Sequence, residues 1–131
     1  MVIGNSHAEQ ALSIFKPIAE QTKTNLQTYL LGGCQYPVRS VNAGNECSEF
    51  NTKMTEEIIK RKPQTVVIIA TIAEARSNEE RIDPALEETV KKFTDAGIQV
   101  VGVRDNPRYD YNVYECAQGR RRPGILRAPG L

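Results

Sequence analysis

Apolar residues along the chain follow two patterns: short continuous runs, and positions repeated at helical spacing. The continuous runs predict four strands, at residues 1–3, 25–31, 66–70 and 98–103. Helical spacing predicts three helices with the apolar stripes Ala8, Leu12, Phe15 and Ala19, then Phe50, Met54 and Ile58, then Leu86, Val90 and Phe93. Strands that alternate with helices predict an α/β fold, a three-layer parallel sheet with helices on both faces.

Prolines and polar residues predict where the helices begin and end. Pro17 lies within the first helical stripe and is expected to kink or restart that helix, because proline lacks a backbone donor. Ser48 is a candidate N-cap of the second helix. Asp83 before Pro84 predicts the start of the third helix, and Gly97 predicts its end.

The hydrophobic pattern is lost after residue 106, and residues 118–131 include three consecutive arginines at 120–122. We therefore predict an α/β domain at residues 1–117 followed by an irregular basic tail at residues 118–131. The arginines could contact phosphate, but a solvated basic tail is the commoner explanation of such a run.

Composition excludes several classes of protein. The 131 residues suit one domain with a normal core. A net charge of +1 with 25% charged residues argues against a disordered chain and against a nucleic-acid-binding protein. No apolar run approaches the roughly 20 residues of a membrane-spanning helix. The first residues also lack a signal-peptide pattern, so the sequence predicts a soluble chain.

The three cysteines leave two interpretations open. Cys34 and Cys47 flank a loop and could form a disulfide in an oxidising compartment, with Cys116 left over. Three free thiols in a cytosolic protein fit the spacing equally well. No cysteine or histidine has the spacing of a metal site, so we expect neither a metal ion nor another cofactor.

Candidate chemistry is found where predicted strands end. Ser6, Gly33, Thr71 and Asp105 each follow a predicted strand, and ligands of open α/β sheets bind at that edge. A serine on a strand-to-helix turn exposes its hydroxyl as a nucleophile, and the Gly33 N–H could bind an oxyanion. A simple N-cap is the commoner role for such a serine. His7 is the chain's single histidine and directly follows Ser6, which leaves no separate base.

The residues around Ser6 also carry a resemblance to a known family. Residues 2–9, Val-Ile-Gly-Asn-Ser-His-Ala-Glu, resemble the first block of the SGNH (GDSL-like) hydrolases. They are most similar to the GDSHA form, found in SGNH domains attached to membrane acyltransferases of the peptidoglycan O-acetyltransferase type. Residues 33–37, Gly-Cys-Gln-Tyr-Pro, are similar to the family's Gly-Cys segment. Residues 62–67 and 97–108 are also similar to blocks of this family, but those blocks are generic to parallel α/β sheets.

The resemblance implies roles for individual residues. Ser6 would be the nucleophile, the N–H groups of Ser6 and Gly33 would form the oxyanion hole, and Gly4, Asn5 and His7 would support the nucleophile block. Residues 1–131 contain no match to the Asp-x-x-His block that supplies the family's catalytic base, and Asn5 stands where the family usually has aspartate. Because the family tends to carry cysteine pairs, the resemblance favours a Cys34–Cys47 disulfide and places the partner of Cys116 in a missing segment.

The implied function is acyl transfer or ester hydrolysis by an SGNH domain that is truncated at its C-terminal end and trimmed before its first strand. The acyl group, expected to be acetyl, would move between an acyl donor and a polysaccharide or peptidoglycan acceptor of the cell envelope. The domain would lie outside the cytoplasm, tethered through a fused membrane acyltransferase domain. We expect little or no activity in this chain. A degenerate SGNH domain that binds a glycan or acts as a scaffold is the alternative, and a small flavodoxin-like module is a more remote one.

Overall fold

The computed structural model describes residues 1–37, 45–74, 77 and 79–119 of the chain. Its strands are β1 (Val2–Gly4), β2 (Thr28–Leu30), β3 (Thr65–Ile69), β4 (Ile72–Ala73), β5 (Glu80–Arg81) and β6 (Gln99–Val103). Its helices are α1 (Ser6–Thr22), α2 (Asn45–Arg61), α3 (Ala85–Asp95) and α4 (Val113–Ala117). No helix in these ranges is long and apolar enough to cross a bilayer.

The main sheet has the strand order β2-β1-β3-β6, and each neighbouring pair is parallel. Gly4 at the end of β1 pairs with Leu30 at the end of β2, and Ile68 of β3 pairs with both Ile3 and Gly102. The predicted parallel sheet is therefore confirmed. Because all four strands run in one direction, their carboxyl ends meet at one edge of the sheet.

Helices cover both faces of this sheet, as the α/β prediction requires. Side chains of β3 alternate between two cores, since successive residues of a strand point to opposite faces. One core joins β1 and β3 to α1 and is built from Val2, Ala8, Leu12, Val67 and Ile69. The core on the opposite face brings in α2 and α3 and is built from Ile3, Tyr36, Ile58, Val66, Ile68, Phe93 and Ile98.

The expectation that Pro17 restarts the first helix was wrong, because α1 runs without a break from Ser6 to Thr22. Pro17 is exposed on the solvent side of α1. Water can therefore solvate the carbonyl that has lost its partner. The buried Ala8 and Leu12 hold the other side of the helix on the sheet.

Two helix starts test the capping predictions. Helix α2 begins at Asn45, so Ser48 lies inside the helix and the predicted cap was wrong. The acidic Glu46 occupies the first turn, where a negative charge interacts favourably with the helix dipole. The predicted start of α3 is confirmed, because α3 begins at Ala85, directly after Asp83 and Pro84, and Asp83 Oδ1 accepts a hydrogen bond from the Ala85 N–H at 2.9 Å.

Short elements account for the remaining differences. The second strand covers only Thr28–Leu30, because its neighbour β1 offers just three residues for pairing. The β4–β5 hairpin and α4 were not predicted, and strands of two residues are too short to show a period. Residues 120–131 of the predicted basic tail lie outside the described residues, and the domain boundary at residue 117 stays a prediction.

Candidate active site

Ser6 is the first residue of α1, at the carboxyl edge of the sheet. Its side chain is exposed and has no hydrogen-bond partner among the described residues. The cap of α1 is Asn5, whose side-chain Oδ1 accepts a hydrogen bond from the His7 N–H at 2.9 Å. Because Asn5 performs the capping, a structural role as N-cap does not explain Ser6, and its hydroxyl is available to a substrate.

Gly4 brings β1 and α1 into unusually close contact. Its φ of 151° is a conformation that side chains disfavour. A Cβ atom added to Gly4 would lie 2.7 Å from the Cβ of Ala8. Only glycine fits this turn without a shift, so Gly4 fixes the angle at which the chain passes from the strand to Ser6.

We predict that Gly4→Ala lowers the free energy of unfolding by about 2 kcal/mol, since it combines backbone strain with a steric clash. Urea denaturation measures the difference. Gly97→Ala is the matched control, because Gly97 has a φ of 79° but open space around its added Cβ. Equal losses from the two variants would contradict a role for the contact with Ala8.

Gly33 lies on the turn that follows β2, beside Ser6 on the same edge. The Cys34 N–H donates to the Leu31 carbonyl at 3.1 Å, and Gly33 takes a φ of 73° within this turn. The Gly33 N–H has no acceptor among the described residues. The Leu31 N–H donates to the Gly4 carbonyl at 3.0 Å, which extends the ladder between β1 and β2 up to the two turns.

A side-chain hydrogen bond ties the two turns together. Asn5 Nδ2 donates to Gln35 Oε1 at 2.8 Å. An aspartate at this position has no N–H to donate, so the asparagine makes a contact that its acidic counterpart would lack. Asn5 thus holds the Gly33 turn while it caps α1.

A disulfide closes the chain between Cys34 and Cys47, as the resemblance implied. The two Cα atoms lie 5.4 Å apart. Cys34 is buried, and the disulfide fixes the residue after Gly33 to the first turn of α2. Cys116 is free and exposed.

His7 and Asp105 form the contact that the sequence did not reveal. His7 Nδ1 lies 2.5 Å from Asp105 Oδ1, although the two residues are 98 positions apart. The Asp105 side chain is only 2% exposed. It also accepts hydrogen bonds from the N–H groups of Asn106, at 2.8 Å, and Ala73, at 3.2 Å. The position of Asp105 after a predicted strand was the only sequence signal for this pair.

Thr71 links Asp105 to a second charged pair. The Asp105 N–H donates to Thr71 Oγ1 at 2.8 Å, and the Thr71 hydroxyl donates to Glu80. Arg104 Nε donates to the other carboxylate oxygen of Glu80 at 2.5 Å. The hydrogen bond from Thr71 lowers the pKa of Glu80, and the one from Arg104 lowers it further. Glu80 is therefore a fixed anion near neutral pH.

The structure thus places the predicted residues on one sheet edge. The turns that carry Ser6 and Gly33 follow neighbouring strands and are hydrogen-bonded to each other. Thr71 and Asp105 follow the next two strands and bond to each other, and Asp105 reaches back to His7. The edge therefore combines a free hydroxyl, an unpaired backbone donor and an imidazole bound to a buried carboxylate.

A family model described as SGNH domain (fused to AT3 domains) matches residues 1–129. No curated protein and no solved structure matches the chain. The matched range includes every residue of the sheet edge described above.

Proposed function

This chain belongs to the family of SGNH domains fused to AT3 domains, and from that membership we propose that it transfers or hydrolyses acyl groups through Ser6. It is an acyltransferase-associated, hydrolase-like domain. The proposed acyl group is acetyl, and the proposed acceptor is a hydroxyl of a polysaccharide or peptidoglycan in the cell envelope. A membrane acyltransferase domain is the proposed partner. We expect no nucleic acid and no cofactor to take part.

The observation that carries this proposal is the unpartnered hydroxyl of Ser6. A serine at the start of a helix usually accepts a hydrogen bond from the helix, but here Asn5 does so. The Ser6 hydroxyl stays exposed at the positive end of the α1 dipole, where developing negative charge is stabilised. An exposed hydroxyl without a partner at this position supports a nucleophilic role for Ser6, whose activation also requires a base.

In the proposed mechanism the Ser6 oxygen attacks the acyl carbon and forms a covalent ester intermediate. The negative charge that develops on the carbonyl oxygen is stabilised by the N–H groups of Ser6 and Gly33. Such donors each contribute roughly 10²- to 10³-fold in rate. The exposed Gly33 turn and its hydrogen bond to Asn5 support this arrangement, since that bond ties the turn of Gly33 to the residue before Ser6.

We propose that the site lies outside the cytoplasm. The Cys34–Cys47 disulfide supports this location, because disulfides persist in oxidising compartments and are rare in the cytosol. A cell-envelope glycan would be accessible there, and so would the external side of a membrane acyltransferase.

The rate of this chain is proposed to be low. Residues 1–131 contain no Asp-x-x-His block, and His7 is the single histidine. Triad enzymes that lose one member keep only about 10³- to 10⁴-fold catalysis over water. We therefore expect slow hydrolysis of activated acetyl esters, far below the rate of a complete triad.

Covalent labelling with a fluorophosphonate tests the nucleophile directly. We expect a single adduct, which fragment-ion mass spectrometry assigns to Ser6. Ser13 is an internal control, because it is an exposed serine of the same helix whose hydroxyl donates to the Gln10 carbonyl. An adduct on Ser13 alone, or equal labelling of the urea-unfolded chain, would contradict an activated Ser6.

The second candidate is a non-catalytic domain that keeps the site and binds a glycan or acts as a scaffold. The observation in its favour is the lack of a second histidine in residues 1–131. The two candidates differ in the labelling experiment, since a binding domain gives no adduct. Binding of soluble peptidoglycan fragments without labelling or turnover would favour this candidate.

A further inference from the structure

The pairing of His7 with Asp105 has a chemical consequence that the proposed function does not use. A carboxylate accepts hydrogen bonds but does not donate them. In the neutral imidazole, Nδ1 therefore carries the proton and donates it to Asp105, which leaves the lone pair on Nε2. No described residue is hydrogen-bonded to Nε2. With its side chain 21% exposed, His7 is accessible to solvent and to small solutes.

We propose that His7 is the proton-transfer residue of the Ser6 site and that Asp105 is the residue that positions it. The proposal rests on the proposed function, because it names the base for the same nucleophile. Its basis is the contact between Nδ1 and a buried carboxylate that two backbone N–H groups hold in place. In a serine triad, the carboxylate fixes the tautomer and the orientation of the imidazole in the same way.

The proton must travel between neighbouring residues of one helix. Side chains at positions i and i+1 of a helix do not face each other, so direct contact between Ser6 and Nε2 is disfavoured. The proposal therefore requires one bridging group between them, a water molecule or the hydroxyl of an acceptor. A bridged transfer is slower than a direct one, which agrees with the low rate proposed for this chain.

Each step conserves its atoms and protons. Ser6 Oγ bonds to the acyl carbon while its proton passes through the bridging water to Nε2. The leaving alcohol takes that proton from Nε2 as its bond to the acyl carbon breaks. In the second step, a water or sugar hydroxyl attacks the Ser6 ester and gives its proton to Nε2. The proton returns to Ser6 Oγ when the ester bond breaks.

Other charged groups near the pair have different roles. On the β4–β5 side, Glu80 bonds to Arg104 and Thr71, and its lowered pKa keeps it charged at neutral pH. On α1, Glu9 is exposed and lies in the same first turn as His7. Glu9 is therefore the residue for a matched control variant.

The test compares p-nitrophenyl acetate hydrolysis by the wild-type chain and two variants between pH 5 and pH 8. The wild-type rate should depend on pH, because only the neutral imidazole can accept a proton. His7→Gln should lower the rate at pH 8 by at least roughly tenfold and flatten the profile, because an amide cannot accept the proton. Asp105→Asn should also lower the rate, with a smaller loss than His7→Gln. Glu9→Gln is the matched control, and its rate should stay within about twofold of the wild type.

Chemical rescue provides a second measurement. Imidazole added to the buffer should partly restore the rate of His7→Ala, since it supplies the missing base in solution. The double variant Ser6→Ala/His7→Ala corrects for hydrolysis by imidazole itself and should show no rescue. A structural role for His7 would not produce this difference.

The outcomes separate this inference from the proposed function. If His7→Gln keeps both the rate and the pH profile while Ser6 is still labelled, His7 is not the base and the proposed function stands. If the wild-type chain shows neither labelling nor turnover, the proposed function fails, and this inference fails with it. Circular dichroism would show whether His7→Gln fails to fold. In that case, imidazole rescue of His7→Ala and the pH profile of Asp105→Asn test whether His7 transfers the proton.

Discussion

Ser6→Ala is expected to reduce the slow hydrolysis of p-nitrophenyl acetate to the rate measured in buffer, a loss of roughly tenfold or more. Alanine removes the oxygen that forms the ester intermediate but keeps both backbone donors in place. The fluorophosphonate adduct should disappear as well. Steady-state absorbance measurements at pH 8 give the rate.

Ser6→Ala should remove the hydroxyl without disturbing the fold. Ser6 is exposed, and Asn5 caps α1, so the substitution removes no hydrogen bond that stabilises the described residues. The free energy of unfolding should change by no more than about 0.5 kcal/mol. Ser13→Ala, in the same helix, should leave both the rate and the labelling unchanged. Retention of the wild-type rate by Ser6→Ala would exclude Ser6 as the nucleophile.

Removal of the disulfide is expected to have the largest effect on stability. The double substitution Cys34→Ser/Cys47→Ser should lower the free energy of unfolding by about 3 kcal/mol, because the bond restricts the unfolded chain across 13 positions. Urea denaturation of the two proteins gives the difference. Cys116→Ser is the control and should change the stability by less than about 0.5 kcal/mol, since Cys116 is free and exposed.

Thiol titration checks the premise of that experiment. The unfolded, non-reduced chain should react at one thiol, that of Cys116. Three reactive thiols would contradict the disulfide and with it the proposed extracytoplasmic location. Because the disulfide fixes the residue next to Gly33, we also expect the double variant to label more slowly at Ser6 than the wild type does.

Sequence patterns predicted the sheet because its central strand is long and apolar. The run at β3 is buried on both faces, which gives a continuous apolar stretch rather than an alternating one. The start of α3 was also predictable, since Asp83 and Pro84 directly precede it and the hydrogen bond of Asp83 joins residues only two positions apart. Predictions of this local kind need no knowledge of tertiary contacts.

Features that depend on distant residues could not be predicted in the same way. Pro17 was expected to kink or restart α1, but the helix does not restart there, and its buried Ala8 and Leu12 pack on the sheet. In the site, the order of the strands brings Asp105 to His7, and no local pattern records that order. The roles of Ser6 and Gly33 came from the family resemblance and stay predictions until the labelling and kinetic experiments are done.

The distance along the chain between His7 and Asp105 has a consequence for protein synthesis. Ser6 and His7 leave the ribosome together, whereas the carboxylate partner of His7 is made 98 residues later. Domains fold as units once enough of the chain has emerged. A nascent chain that ends before β6 therefore carries the serine and the imidazole but lacks the carboxylate that holds the imidazole. The contact between His7 and Asp105 therefore forms only after β6 and the residues that follow it have been made.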